Sequence, residues 1–390
     1  MTITRCPVCE SDRWVSFLER RQVPAHQNLL VASRAAARAV TRGDIHLAVC
    51  EACGFVFNHA FDLSRLAYGA DYDASQFYSA YYDAHLDGMA KDLVDRHGVR
   101  DSTIVEVGCG RGQFLRKLIN IPGTDNRGVG FDPSYTGADT DLEGRLSFRR
   151  SYYDRTCSDV AADVVVCRHV IEHVPEPLTL LRSVRQALTN SPNARVFFET
   201  PCVEWILKNR VVWDIFYEHC SLFSAASLSL AFERTGFTVK HVAHIFGGQY
   251  LWLEAQLTAA AQPVTHQPPD MSASARAFGA DEKRLTQTWL STLLELKGRG
   301  KVALWGAGAK GATFANLIDP DCSLIDCVID VNPNKHGRFI PGTGHPIVAL
   351  AELPARGVKF AVLMNANYRE ENRKLLTETG IELELIDWSI

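Results

Sequence analysis

No stretch of this 390-residue chain is an uninterrupted apolar run of the ~18 residues that a membrane span needs. Long runs of lysine or arginine are also missing, and the formal net charge is −4. Nothing along the sequence looks like the basic patch with which nucleic-acid binders displace counterions from phosphate. Met1 to Val8 lack the basic region and apolar core of a secretory signal, so the expected location is cytoplasmic. No internal repeat of fixed period occurs. Cysteine is present, but its count of 11 is odd. In a reducing compartment that count favours thiols and metal ligands over a disulfide framework. What remains, 46% hydrophobic and 22% charged residues, is the composition of an ordinary soluble enzyme. The length suggests two or three domains at roughly 100–200 residues each.

The chain divides into four stretches. Residues 1–75 carry cysteine pairs, turns and short apolar runs. Residues 76–260 alternate helical and strand patterns, as βαβ units do. Residues 261–285 are rich in Pro, Ser and Ala and read as a connector. Residues 286–390 hold a second α/β series whose first strand begins near Lys301. The predicted fold class is α/β, with a Rossmann-like core between a small N-terminal module and a C-terminal Rossmann-like domain.

The core's first strand, Thr103 to Val107, runs into Gly108-Cys109-Gly110-Arg111-Gly112, and an amphipathic helix pattern follows. Glycines there let the backbone turn sharply and approach a ligand closely. Glu106 ends the strand, and Asp132 ends the next one, where a carboxylate can accept ribose hydroxyls. Ala162 to His169 reads as a buried strand leading into Val170-Ile171-Glu172-His173. These strings, in this order, resemble the class I methyltransferases that use S-adenosylmethionine (SAM). The resemblance implies that Glu106, Gly108, Gly110 and Gly112 cradle the methionine part of SAM and Asp132 the ribose. Tyr153, Asp154 and Arg168 are further cofactor candidates. Glu172 and His173 read as structural.

Two C-x-x-C pairs, Cys6/Cys9 and Cys50/Cys53, stand 40 residues apart. Each knuckle can place two thiolates on one ion, and four thiolates close a tetrahedron. The expectation is structural Zn²⁺, because four protein ligands leave no position for water or substrate.

A second strand-and-glycine-loop unit follows at Val302 to Gly311. Lys310 adds charge where a helix start can meet phosphate, and Lys335 lies in the polar turn after the next strand. Cysteine pairs, SAM core and this last unit together resemble the nucleotide-sugar C-methyltransferases along essentially the whole chain. The local string Phe216-Tyr217-Glu218-His219-Cys220-Ser221-Leu222-Phe223-Ser224 is similar to the family's Y-x-E-H string followed by an aromatic and Phe-Ser. The resemblance implies methylation of the carbon beside the ketone of a 4-keto-deoxysugar, with His219 as general base. Histidine can take a proton near neutral pH. Tyr217 is then a candidate donor to the enolate oxygen, and Glu218 a candidate orienting group.

Asn28, in a partial match to the family's Q-P-L-x-N loop, and Tyr78, in a tyrosine-rich stretch with Tyr68, Tyr72, Tyr81 and Tyr82, are candidate substrate contacts beside Lys310 and Lys335. The expected partner is a small molecule, a nucleotide sugar, and neither nucleic acid nor membrane. Two rivals remain open: methylation of another small metabolite at carbon, oxygen or nitrogen, and a non-catalytic zinc module that binds SAM.

Overall fold

The structure is a computed structural model, and it describes residues 3–67, 71–258 and 271–388. Its central sheet has eight strands. In spatial order they are Phe237–Ile245, Tyr250–Leu257, Arg195–Pro201, Val164–Arg168, Thr103–Val107, Arg127–Phe131, Leu146–Arg149 and Thr140–Asp141. The five from Arg195–Pro201 to Leu146–Arg149 are parallel, and Tyr250–Leu257 and Phe237–Ile245 close one edge as an antiparallel pair. Val164 to Cys167 are fully buried, as a strand covered on both faces must be. The helices Ala80–Asp95 and Gln113–Ile119 cover one face through Leu86, Leu93, Leu115 and Leu118. Pro177–Ala187 and Ala225–Arg234 cover the other through Leu181, Val184, Leu228 and Phe232. The chain order reverses at Thr103–Val107, so a crevice opens beyond its C-terminal end.

The N-terminal sheet comprises Trp14–Pro24, Arg42–Cys50, Val56–Asn58 and a fourth strand supplied from far along the chain, Ser221–Leu222. Ser221 pairs with Phe57 and Leu222 with Val56. Residue 75 is therefore no clean boundary, since this sheet is completed by the two residues that follow His219-Cys220. Arg20, 5% exposed, adds a second tie. Its guanidinium donates to the carbonyls of Val212 and Ile215, both at 2.5 Å, and pairs with Glu282 at 2.7 Å. Three parts of the chain thus fix the approach to residues 216–219.

The expected connector is corrected in part. Residues 261–270 lie outside the described residues, but Ser272–Arg299 is one 28-residue helix, so residue 286 falls within a helix rather than at a domain start. The Ser- and Ala-rich composition concealed an apolar stripe at helical spacing: Ala275, Phe278, Leu285, Trp289, Leu293 and Leu296, all buried. This helix packs on the first strand closely enough that a Cβ on Gly279 would stand 1.8 Å from the Phe17 carbonyl oxygen. The C-terminal sheet is wholly parallel, in the order Ile347–Val348, Ile325–Ile329, Lys301–Trp305, Val358–Leu363 and Glu384–Asp387. Among the described residues, no helix is long and apolar enough to cross a membrane.

Candidate active site

One cleft of about 1820 Å³ is lined by residues of all three parts of the chain. A single small-molecule pocket takes roughly 300–1,000 Å³, so there is room for a cofactor and a second molecule together.

At the cofactor end, Gly108, Gly110 and Gly112 all have positive φ, between +54° and +74°. A Cβ on Gly108 would meet the Val170 side chain at 2.2 Å, and one on Gly112 the Phe148 ring at 2.3 Å. Nothing lies within 4 Å of the corresponding point on Gly110, so the backbone there faces open space that a ligand can fill. The amide of Gly110 donates to Asp132 Oδ2 at 2.9 Å, which ties the loop to the acid of the next strand. Asp132 Oδ1 holds the amide and hydroxyl of Ser134. A carboxylate has about four acceptor sites, so Oδ2 keeps capacity for a hydroxyl. Glu106 is 3% exposed, and its Oε2 has no hydrogen-bond partner. Burial pushes its pKa up to about 8, against the pull of Arg168. A buried, unsatisfied carboxyl beside an open glycine suits the ammonium end of SAM.

The other cofactor candidates are placed as follows. Tyr153 lines the cleft but is buried, its ring 4.9 Å from Phe131. Asp154 turns one oxygen onto the amide and hydroxyl of Thr156. Arg168 is a wall of the pocket. Its guanidinium is engaged by Glu199 at 2.5 Å and by the Tyr82 hydroxyl. Tyr152, which the sequence reading passed over, stands 76% exposed at the rim of the cleft. No pattern in the sequence separated it from its neighbour.

His219 lies deeper in the same cleft. Its Nδ1 is buried without a hydrogen-bond partner, its ring is 4.0 Å from Phe216, and it faces His173. Burial, helped by His173, His169 and Lys310, holds its pKa well below the ordinary value, so the ring is a neutral base. The opposing turn is secured by Ser221 Oγ, which donates to the Val174 carbonyl at 2.7 Å. Glu172 accepts from His169 and Thr200, one on each oxygen. His169 was another unforeseen member. It has φ +53°, and although burial favours the neutral ring, Glu199 and Glu172 hold its pKa well above the ordinary value. It is therefore a fixed cation beneath the site.

Tyr217 and Glu218 are not brought to the cleft, a correction to both expectations. The Tyr217 hydroxyl donates to the Asp62 carbonyl at 3.0 Å and accepts from the Asp62 amide at 2.8 Å. Glu218, fully buried, accepts from His26 Nδ1 at 3.1 Å and from the Gln27 amide at 2.9 Å. The two middle residues of the string thus anchor the N-terminal module, while Phe216 and His219 line the cleft.

Asn28 and Tyr78 both line the cleft, and the Tyr78 hydroxyl accepts from Asn334. Tyr72 and Tyr82 line it too, Tyr81 packs against Phe246 and Tyr368, and Tyr68 lies outside the described residues. Lys310 reaches the cleft but donates to Asp214 at 2.9 Å and to Gln249 at 3.0 Å. Lys335, 4% exposed, braces the glycine loop by donating to the Ala307 carbonyl. Asp330, the acid that follows the strand Ile325–Ile329, accepts from the amides of Ala307 and Asn332, much as Asp132 accepts from those of Gly110 and Ser134.

The sulfurs of Cys6, Cys9, Cys50 and Cys53 all lie within 4.8 Å of one another, with Cys6–Cys53 at 3.6 Å and Cys9–Cys50 at 3.4 Å. A tetrahedral ion with bonds of ~2.3 Å sets its sulfurs roughly 3.8 Å apart, so the four thiols fit such an ion.

Comparison with known proteins agrees with this geometry. A family described as a methyltransferase domain matches residues 82–242, and one described as a C-methyltransferase C-terminal domain matches 264–380. The C-methyltransferase NovU of Streptomyces niveus is 27% identical, across 97% of this chain and 94% of its own. A ubiquinone biosynthesis O-methyltransferase of Yersinia enterocolitica is 29% identical over 26% of this chain and 44% of its own. A SAM-dependent methyltransferase of Aquifex aeolicus, known by crystal structure, aligns over 48% of this chain and 100% of its own at 16% identity and a TM-score of 0.35. Likeness to NovU extends over 97% of this chain, whereas likeness to the O-methyltransferase extends over 26% of it. The chain is a SAM-dependent methyltransferase, similar over 97% of its length to the C-methyltransferase NovU.

Proposed function

We propose that the protein methylates the carbon beside the ketone of a nucleotide-linked 4-keto-deoxysugar, with His219 as the general base. The observation that carries this reading is the neutral imidazole of His219, whose Nδ1 is buried without a hydrogen-bond partner, in the cleft shared with the glycine loop. His219 takes the proton from the carbon, leaving an enolate. Glu106, Gly108, Gly110 and Asp132 would hold SAM, which would supply an electrophilic methyl group on a sulfonium that departs as the neutral thioether. The enolate carbon gains the methyl, and the proton stays on His219 until solvent removes it. His173, facing His219, takes the place first given to Tyr217 as donor to the ketone oxygen. Holding both molecules in one cleft aligns carbon and methyl, which is worth much of the rate.

The C-terminal glycine loop, Gly306 to Gly308, faces the same cleft and offers a place for the nucleotide's phosphates, with Lys310 released from Asp214 to meet them. Zn²⁺ on Cys6, Cys9, Cys50 and Cys53 would hold the N-terminal module together without taking part in the chemistry.

The test is mass spectrometry of the protein incubated with SAM and a panel of nucleotide-linked 4-keto-deoxysugars, with deuterium exchange at the carbon beside the ketone followed in parallel. Wild type should show exchange and gain of one methyl, and His219→Ala should lose both. Tight SAM binding with neither exchange nor methylation on any sugar would overturn the sugar reading and point to another small-molecule acceptor.

A further inference from the structure

Cys202, Glu204 and His244 form a cluster that the reaction does not use. None of them lines the cleft. Cys202 follows the strand Arg195–Pro201 and caps the helix Val203–Asn209, and His244 is on the edge strand Phe237–Ile245. The Cys202 backbone is fixed by a 2.9 Å hydrogen bond to the Gln249 carbonyl. Glu204 is fixed by the Ala225 amide, which donates to its Oε2 at 3.0 Å.

The separations are those of a coordination site. Cys202 Sγ stands 3.6 Å from His244 Nδ1, and a carboxylate oxygen of Glu204 lies within 4.8 Å of both. An ion with a sulfur at ~2.3 Å and a nitrogen at ~2.0–2.1 Å in tetrahedral array sets the two roughly 3.5–3.6 Å apart. A thiol–imidazole hydrogen bond accounts for that pair alone and leaves the converging carboxylate unexplained. Cys202 is fully buried and His244 exposed, so the fourth corner opens to water. Thiolate with imidazole selects the zinc class over Mg²⁺ or Ca²⁺, which take oxygen ligands.

We propose that Cys202, Glu204 and His244 bind a divalent transition ion of the zinc class, at a site separate from the four N-terminal cysteines. The ion clamps the edge strand to the segment after Pro201. That segment carries the backbone bond to Gln249, the residue that receives Lys310. Binding displaces the Cys202 proton, which burial makes hard to lose, so affinity rises with pH.

The test is equilibrium dialysis of the full chain against buffered Zn²⁺, with zinc per chain read by elemental mass spectrometry and the cobalt-substituted spectrum recorded alongside. His244→Ala changes an exposed position and should bind one ion fewer than wild type. Cys202→Ala should also bind one ion fewer and lose its share of the thiolate-to-cobalt absorption. Because the readout is a difference, it holds whatever the occupancy of the four-cysteine site. Equal zinc content in wild type and His244→Ala would overturn the proposal.

Discussion

The rings of His219 and His173 meet edge to face, with centroids 4.9 Å apart and planes at 85°. They belong to different turns, one after the strand Val164–Arg168 and one before Ser221–Leu222. What brings them together is the pairing of Ser221 and Leu222 with the N-terminal sheet and the bond from Ser221 to Val174. His219 is thus placed by the N-terminal module, although the glycine loop that shares its cleft belongs to the core.

The first prediction concerns pH. His219 titrates well below the ordinary 6.5 because it is buried. Its neutral form therefore persists through the neutral range, and activity should fall only on an acid limb whose inflection lies below 6.5. The same depressed value makes protonation favour the unfolded chain, so this residue's contribution to stability declines as pH drops below 6.5. The measurement is the pH profile of kcat/KM for the acceptor at saturating SAM, where the Glu106 ionisation that governs SAM binding does not enter. An inflection at or above 6.5 would speak against His219 as the base.

Tyr217 is expected to act through folding alone. Its hydroxyl closes two hydrogen bonds with the Asp62 backbone. Tyr217→Phe should cost about 1–2 kcal/mol of stability and lower the melting temperature while leaving kcat unchanged. Calorimetry with steady-state kinetics on one preparation checks both, and a large fall in kcat at unchanged stability would return the hydroxyl to the chemistry.

Glu106 should couple SAM binding to proton release. Its pKa of about 8 in the ligand-free protein leaves it mostly protonated at pH 7. An arriving ammonium favours the carboxylate and drives the proton off. SAM affinity should then rise with pH up to about 8, and titration calorimetry in two buffers of different ionisation enthalpy should show net proton release at pH 7. Glu106→Gln should bind SAM more weakly and release no proton.

Gly108 and Gly110 separate folding from binding. Gly110→Ala enters open space at φ +54° and should cost about 1–2 kcal/mol of strain. With SAM bound against this loop as proposed, the added methyl takes part of its place, so SAM affinity should fall at least tenfold, about 1.4 kcal/mol, in a protein that still folds. Gly108→Ala collides with Val170 and should damage both. Thermal melting with and without SAM distinguishes the two patterns.

Much of this molecule was legible along the chain because local chemistry dictated it. Strand, glycine loop and acid are a contiguous demand of the backbone, so the unit from Glu106 to Gly112 with Asp132, which meets at one end of the cleft, could be read from spacing. The cysteine pairs were legible for the same reason. Adjacent residues in an irregular segment have no fixed period, so nothing in the string told which of Phe216, Tyr217, Glu218 and His219 would face the cleft. Arg20 and the pairing of Ser221 with Phe57 decided that, turning Tyr217 and Glu218 toward the N-terminal module. The helix Ser272–Arg299 is a related case. Its composition suggested a connector, and its apolar stripe gained meaning only with two sheets to bury it against. His169, Asp214 and Asp330 joined the cleft through contacts between distant segments. Local patterns depend on bonds between near neighbours, whereas the direction of a buried side chain depends on what the rest of the chain packs around it.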